Sequence, residues 1–161
     1  MEILTEECVK LVTIHGRPFS VMDDKGFQNI VTLIPQNSNK IHFNSHNIKQ
    51  SVATYAEQIR EKICGEINGK VICLKIDAAS CIDIRSFFGI NIQFVDEDLN
   101  IALRTLAVTE LFSKHDAVTL KNVVLDVCHQ YNICVQDIFS VTTDNGTNMI
   151  KLVRLLGCES R

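Results

Sequence analysis

Two aspartates lie at the polar ends of apolar runs that are far apart in the chain. Asp77 follows residues 70–76 (KVICLKI), and Asp144 follows residues 138–143 (IFSVTT). If the two runs are parallel neighbouring strands, both carboxylates lie at the same edge of the sheet, about 4.8 Å apart from strand to strand. Such a pair can ligate one Mg²⁺ or flank two. This arrangement suits phosphodiester chemistry, in which one ion activates the nucleophile and the other stabilises the leaving oxygen.

A purely structural interpretation of the same residues stays open. An aspartate at the end of a strand is commonly a turn or cap residue, and Asp144-Asn145-Gly146 is a strong turn tripeptide. Two carboxylates placed together without a metal repel each other. The pattern by itself therefore indicates either a metal site or a pair of turns.

Other candidate ligands favour structural roles. His42 and His46 have the four-residue spacing of helical metal ligands, but they straddle a predicted boundary between a loop and a helix. Cys128 and His129, with Cys134, suggest a metal or a nucleophile, but Cys128 falls on the apolar face of a predicted helix. Residues 96–98 (DED) lack the glycine and the final glutamate of a calcium loop and are typical of a solvated hairpin tip.

The first 68 residues are predicted to be helical. One apolar face ends before Gly16 and Pro18, and a second helix is expected after a cap at Asp23 or Asp24. Residues 36–44 are polar and predict a loop. A third and longest helix, capped by Asn44 or Ser45, ends at the turn Asn68-Gly69. Apolar residues on the second and third helices are expected to face a core: Phe27, Ile30, Val31, Ile34, Ile48, Val52, Tyr55, Ile59, Ile63 and Ile67.

After residue 69 the apolar period changes from about 3.6 to 2, which predicts strands. Three strands joined by short links are expected to be antiparallel. A helix capped by Asp116 and ended by Asn132 leads to a fourth strand, which a helical crossover makes parallel to an earlier one. A last helix covers residues 147–156. Alternation along each of the three strands predicts that these residues share one face of their strand: Ile72, Leu74 and Ile76; Phe88, Ile90, Ile92 and Phe94; Ile101, Leu103, Thr105, Ala107 and Thr109.

Composition and charge limit the classes of function that the chain can have. The chain has 161 residues and a formal net charge of −3, and its 16 basic residues form no run, so charge does not indicate DNA binding. The seven cysteines include no C-x-x-C pair and predict a reducing compartment. No signal peptide or membrane-spanning stretch is visible. We therefore expect a nuclear or cytoplasmic protein that is not secreted.

Three segments resemble the hAT superfamily of DNA transposases, whose catalytic core has a ribonuclease-H-like fold. Residues 17–27 (RPFSVMDDKGF) resemble the segment before the catalytic domain, and residues 74–77 (LKID) resemble the first catalytic strand. Residues 143–149 (TDNGTNM) resemble the second acidic motif and are the most specific match. The order and spacing of all three agree.

The resemblance implies roles for matching positions. Asp77 and Asp144 would be the first two metal-binding carboxylates, with Mg²⁺ as cofactor, and Asn145 and Asn148 would shape the loop after the fourth strand. It also implies an α+β or α/β architecture. That architecture has a helical segment at residues 1–68 and a partial ribonuclease-H-like core at residues 69–161: three antiparallel strands, a crossover helix, a parallel fourth strand and a helix.

Departures from the family pattern shape the expected function. The Trp-Thr or Trp-Ser pair that often follows the first aspartate is replaced by Ala78-Ala79-Ser80. The family's third carboxylate, a glutamate, lies beyond a large helical insertion, and Glu159 comes too early for it. An amino-terminal zinc finger and a carboxy-terminal dimerisation region are also not seen.

We therefore expect a truncated or domesticated transposase-derived protein with a vestigial metal site and no independent catalysis. Its partners would be DNA, a related transposase or nuclear proteins. The alternative is an active Mg²⁺-dependent transposase or nuclease whose third carboxylate comes from a downstream segment or another chain. A folded remnant without a selected function is the third hypothesis.

Overall fold

The computed structural model describes residues 2–33, 44–80, 85–111, 116–144 and 146–160. The chain divides into two compact units, residues 1–59 and 60–161. The domain boundary between residues 68 and 69 stays a prediction. The division into compact units falls instead within the third helix, which runs without a break through residues 59 and 60. Among the described residues, none of the helices combines the length and the apolar composition needed to cross a membrane.

The first unit contains α1 (Glu2–Thr13), a 3-10 turn (Phe19–Asp23), α2 (Lys25–Thr32) and most of α3 (Ser45–Ile67). Asp24 caps α2 as predicted, since its carboxylate accepts hydrogen bonds from the backbone N–H groups of Gly26 and Phe27 at 2.7 and 3.3 Å. The buried core of this unit consists of Cys8, Met22, Val31 and Ile48. Ile30 was predicted to be buried but is 64% exposed, and Ile34 lies outside the described residues.

The predicted apolar stripe along α3 is only partly buried. Ile48 is buried in the first unit, while Ile63 and Ile67 are buried in the second. Ile59, in the middle of the stripe, is 58% exposed, so the prediction that it faces a core was wrong. The two ends of the stripe belong to different cores, and neither core reaches its middle.

The second unit is built on a mixed sheet. Its strands are β1 (Ile72–Ser80), β2 (Ser86–Val95), β3 (Ile101–Leu111), β4 (Ile138–Thr142) and β5 (Glu159–Ser160), in the spatial order β3-β2-β1-β4-β5. β1, β2 and β3 are antiparallel, and β4 is parallel to β1, which confirms the predicted ribonuclease-H-like arrangement. β5 was not predicted, because a two-residue strand has no apolar period; it pairs in parallel with β4.

One face of the sheet forms the main core with α4 (Ala117–Gln130), α5 (Thr147–Leu156) and the last turns of α3. Asp116 caps α4 as predicted, accepting from the N–H groups of Val118 and Thr119 at 3.0 and 2.8 Å. Each fully buried side chain of this size contributes about 1.5–3 kcal/mol to folding. The central residues are fully buried: Leu74, Phe88, Ile90, Ile92, Leu120, Val124, Val141 and Leu152.

The face of β3 that begins with Ile101 and Leu103 is not the buried face over the first half of the strand. Ile101 and Leu103 are 70% and 52% exposed, while Ala102 and Leu106 are buried. The pairing of β2 with β3 shifts between Ile90 and Asn91, so one extra residue of β3 is accommodated there. A bulge of this kind reverses the alternation of side chains along a strand. The predicted pattern therefore holds only beyond the bulge.

Candidate metal site at the edge of the sheet

The structure brings Asp77 and Asp144 to one place. In the parallel pairing of β1 with β4, Lys75 lies opposite Thr142, and the two aspartates each follow two residues beyond this pair. Both line a cavity of about 350 Å³. The predicted convergence of the two carboxylates is therefore what the structure shows, while their role in binding metal stays a prediction. The other residues lining the cavity are Lys75, Ile76, Asn91, Leu103, Thr142 and Thr143.

Alternation along β1 places Asp77 on the face opposite the main core. Ile72, Leu74 and Ile76 are buried, so Asp77 is exposed on the other side. Its Oδ1 atom accepts a hydrogen bond from the N–H of Ala78 at 2.9 Å. Its partner on β2 is Gly89, which has no side chain to cover the carboxylate. The neighbouring strand therefore leaves Asp77 open to a ligand.

Asp144 lies in the turn between β4 and α5. Its Oδ1 atom accepts a hydrogen bond from the N–H of Gly146 at 3.1 Å, and the hydroxyl of Thr143 donates to the Asp144 carbonyl oxygen at 2.9 Å. A Cβ atom at position 146 would lie only 3.0 Å from Asp144 Oδ1. Because glycine has no Cβ, the carboxylate can occupy this position without a close contact. Asp144 thus has the turn role that the sequence left open, and this role is compatible with ligand binding.

The structure describes one of the two asparagines that were predicted to shape the loop after β4. Asn145 lies outside the described residues. Asn148 is exposed in the first turn of α5 and is not among the described residues that line the cavity. If Asn148 shapes the loop as predicted, it does so without lining the cavity.

Lys75, Asn91, Thr142 and Thr143 were not predicted as site residues. The period of two along β1 was a signal for Lys75, which shares the exposed face with Asp77. Asn91 is brought in by strand pairing, opposite Lys75 on β2, and its Oδ1 atom accepts a hydrogen bond from the Thr105 hydroxyl at 2.8 Å. Sequence spacing carries no information about such pairing.

The donor set of the cavity fits one Mg²⁺. Carboxylate and hydroxyl oxygens are hard ligands, and protein-bound Mg²⁺ commonly uses one or two carboxylates and keeps several waters. Asp77 and Asp144 would hold the ion. Within the part of the chain that the structure describes, no group of three or more His, Cys, Asp or Glu side chains is placed to hold a metal.

The other candidates from the sequence do not assemble into sites. His42 lies outside the described residues, and His46 is exposed on α3. Cys128 is 1% exposed, and burial, followed by the charge of Cys158, raises its pKa to about 11. Cys134 is exposed on a different segment. At the hairpin tip, Asp96 accepts hydrogen bonds from the N–H groups of Asp98 and Asn100, as expected of a turn.

A family model covers both halves of this site. Residues 20–153 match DUF4371, the ZMYM1/FAM200 RNase-like domain. The chain belongs to this family. The match includes β1 with Asp77 and the turn with Asp144, and it agrees with the mixed sheet. The predicted relationship is thereby confirmed at the level of a transposase-related RNase-like domain. A search of the curated proteins gives no match.

Proposed function

We propose that this DUF4371 domain derives from a hAT transposase, binds one divalent cation between Asp77 and Asp144, and does not cut or join DNA by itself. The supporting observation is the cavity that both carboxylates line, without a third acidic side chain among the described residues placed with them. In this proposal the domain acts through binding, and its place of action is the nucleus.

The chemistry of the cavity supports binding of one cation better than catalysis. Bound Mg²⁺ would neutralise the two carboxylates and attract a phosphate oxygen. Phosphodiester transfer with two ions needs ligands that flank both the attacking and the leaving oxygen. Asp77 on β1 and Asp144 in the turn after β4 would provide the acidic ligands, and the hydroxyls of Thr142 and Thr143 are neutral donors.

Protein partners are favoured over DNA as the main ligand of the whole domain. The formal net charge of −3 gives no general attraction to a phosphate backbone. A related transposase or another nuclear protein is therefore the partner that we propose, and DNA would bind only through a local contact at the cation site.

The competing function is an active Mg²⁺-dependent nuclease whose third carboxylate comes from outside the described residues. Nicking of supercoiled DNA in Mg²⁺ or Mn²⁺ separates the two functions. The parent chain, Asp77→Ala and Asp144→Ala should all leave the plasmid intact. Asp126→Ala is the matched control, because Asp126 is an exposed acid on α4 that does not line the cavity.

One result of this assay would overturn the proposal. If the parent and Asp126→Ala nick DNA while both cavity variants do not, the domain is a metal-dependent nuclease. Equal nicking by all four proteins would indicate a contaminating nuclease. The proteins are then purified further before the assay is repeated.

A further inference from the structure

Lys75 places a positive charge in the cavity that holds the two aspartates. It lies on β1 two residues before Asp77 and on the same face of the sheet, and it lines the cavity. Residues spaced by two along a strand are about 6.6 Å apart. In the parallel pairing it lies opposite Thr142, which is two residues before Asp144. The ammonium group is therefore carried into the neighbourhood of both carboxylates.

The surroundings of Lys75 leave its charge available to the cavity. The side chain is exposed, and among the described residues it takes part in none of the ion pairs found within 4.0 Å. Its partner on β2, Asn91, accepts the Thr105 hydroxyl. Among the residues that the structure describes, the anionic groups that line the cavity with Lys75 are Asp77 and Asp144. The three charged side chains thus carry a net charge of −1.

A net charge of −1 changes what the cavity can bind. Two carboxylates alone would attract one divalent ion strongly and leave room for a second. A positive charge in the same cavity repels a divalent ion and disfavours a second ion still more. After one divalent ion has bound, the cavity is positive and suits a phosphate group, which lysine binds as a point charge.

We propose that Lys75 takes the place of a second metal ion and makes this cavity a site for one divalent cation and one phosphate group. The inference rests on the proposed function, in which Asp77 and Asp144 bind a cation. Lys75 is then a specificity-determining residue, because it weakens divalent binding and limits the site to a single ion.

Mn²⁺ binding to the full chain, measured by calorimetry at low ionic strength, tests this role without any activity assay. Lys75→Gln removes the repelling charge, so it should bind Mn²⁺ about three- to tenfold more tightly than the parent. Lys75→Met is a second variant with the same loss of charge and should show the same gain. The gain should shrink as salt is added, because added ions screen the repulsion.

Lys62→Gln is the matched control. Lys62 has 77% of its side chain exposed, its ion pair with Glu66 is long at 3.9 Å, and it does not line the cavity. This variant loses the same charge from the same unit and should bind Mn²⁺ like the parent. An equal gain from Lys62→Gln and Lys75→Gln would show a general charge effect and would overturn the role of Lys75.

The outcomes separate this inference from the proposed function. If the parent binds Mn²⁺ and neither Lys75 variant binds it more tightly, the role of Lys75 is refuted while the cation site stands. If the Lys75 variants bind Mn²⁺ and the parent does not, the parent cavity is not a cation site, and both the proposed function and this inference are refuted. If none of the proteins binds Mn²⁺, both the cation site and the role of Lys75 are refuted.

Discussion

Replacing Asp144 with asparagine separates a metal-binding role of this side chain from a structural role in the turn. The Asp144 carboxylate accepts a hydrogen bond from the Gly146 N–H at 3.1 Å. An asparagine side-chain oxygen can accept the same bond, so Asp144→Asn keeps the turn and removes one negative charge. A metal ligand, in contrast, loses most of its affinity when a carboxylate becomes an amide.

The expected magnitudes differ clearly between the two roles. Without metal, two carboxylates about 6 Å apart in a water-like medium repel by about 0.7 kcal/mol, so the variant should melt at the same temperature or up to about 3 °C higher. With Mn²⁺ at tenfold its Kd, the parent should gain about 1.4 kcal/mol in the free energy of unfolding, which corresponds to about 3–6 °C. Asp144→Asn should gain almost nothing from Mn²⁺.

Thermal unfolding followed by circular dichroism, first with chelator and then with Mn²⁺, measures both quantities. Asp126→Asn is the matched control, since it removes one exposed acid of α4 and should keep the full response to Mn²⁺. A loss of several degrees for Asp144→Asn in chelator would contradict the expected relief of repulsion and would show that the turn depends on the charge of this carboxylate. A response to Mn²⁺ equal to that of the parent would refute its role as a ligand.

Three further predictions concern Tyr131 and the cysteines of α4 and the segment that follows it. The Tyr131 hydroxyl donates a hydrogen bond to the Leu106 carbonyl oxygen at 2.8 Å in a buried position. Tyr131→Phe should therefore lower the free energy of unfolding by about 1–2 kcal/mol. An unchanged midpoint of urea unfolding would contradict this. Burial raises the pKa of Cys128 to about 11 from an ordinary value of 9.0. As the pH rises, the unfolded chain therefore loses this proton before the folded chain does. The free energy of unfolding should fall as the pH rises from about 9 to about 11. Cys128→Ala should flatten that fall in thermal melts. At pH 8, mass spectrometry should find iodoacetamide on exposed Cys134 but on Cys128 only after denaturation.

Much of the candidate site could be predicted because it depends on local rules. A helical crossover predicts a parallel strand, and this placed β4 beside β1 with the two aspartates at one edge. The turn formed by Asp144 was also visible as a tripeptide. The contributions of Asn91 and Leu103 could not be predicted, because they come from strands whose register is set by pairing along the whole sheet.

The sequence by itself determined the structure that depends on near neighbours. The caps at Asp24 and Asp116, the left-handed residue Asn132 with a φ of 57°, and the alternation along β1 and β2 follow from side chains a few residues apart. Only the tertiary structure decided the reversed face of β3, the exposure of Ile59 and the existence of β5. A bulge, a stripe shared by two cores and a two-residue strand are stabilised by contacts between distant segments. The places of Asn91 and Leu103 in the cavity are of this second kind, because strand pairing brings them to the two aspartates.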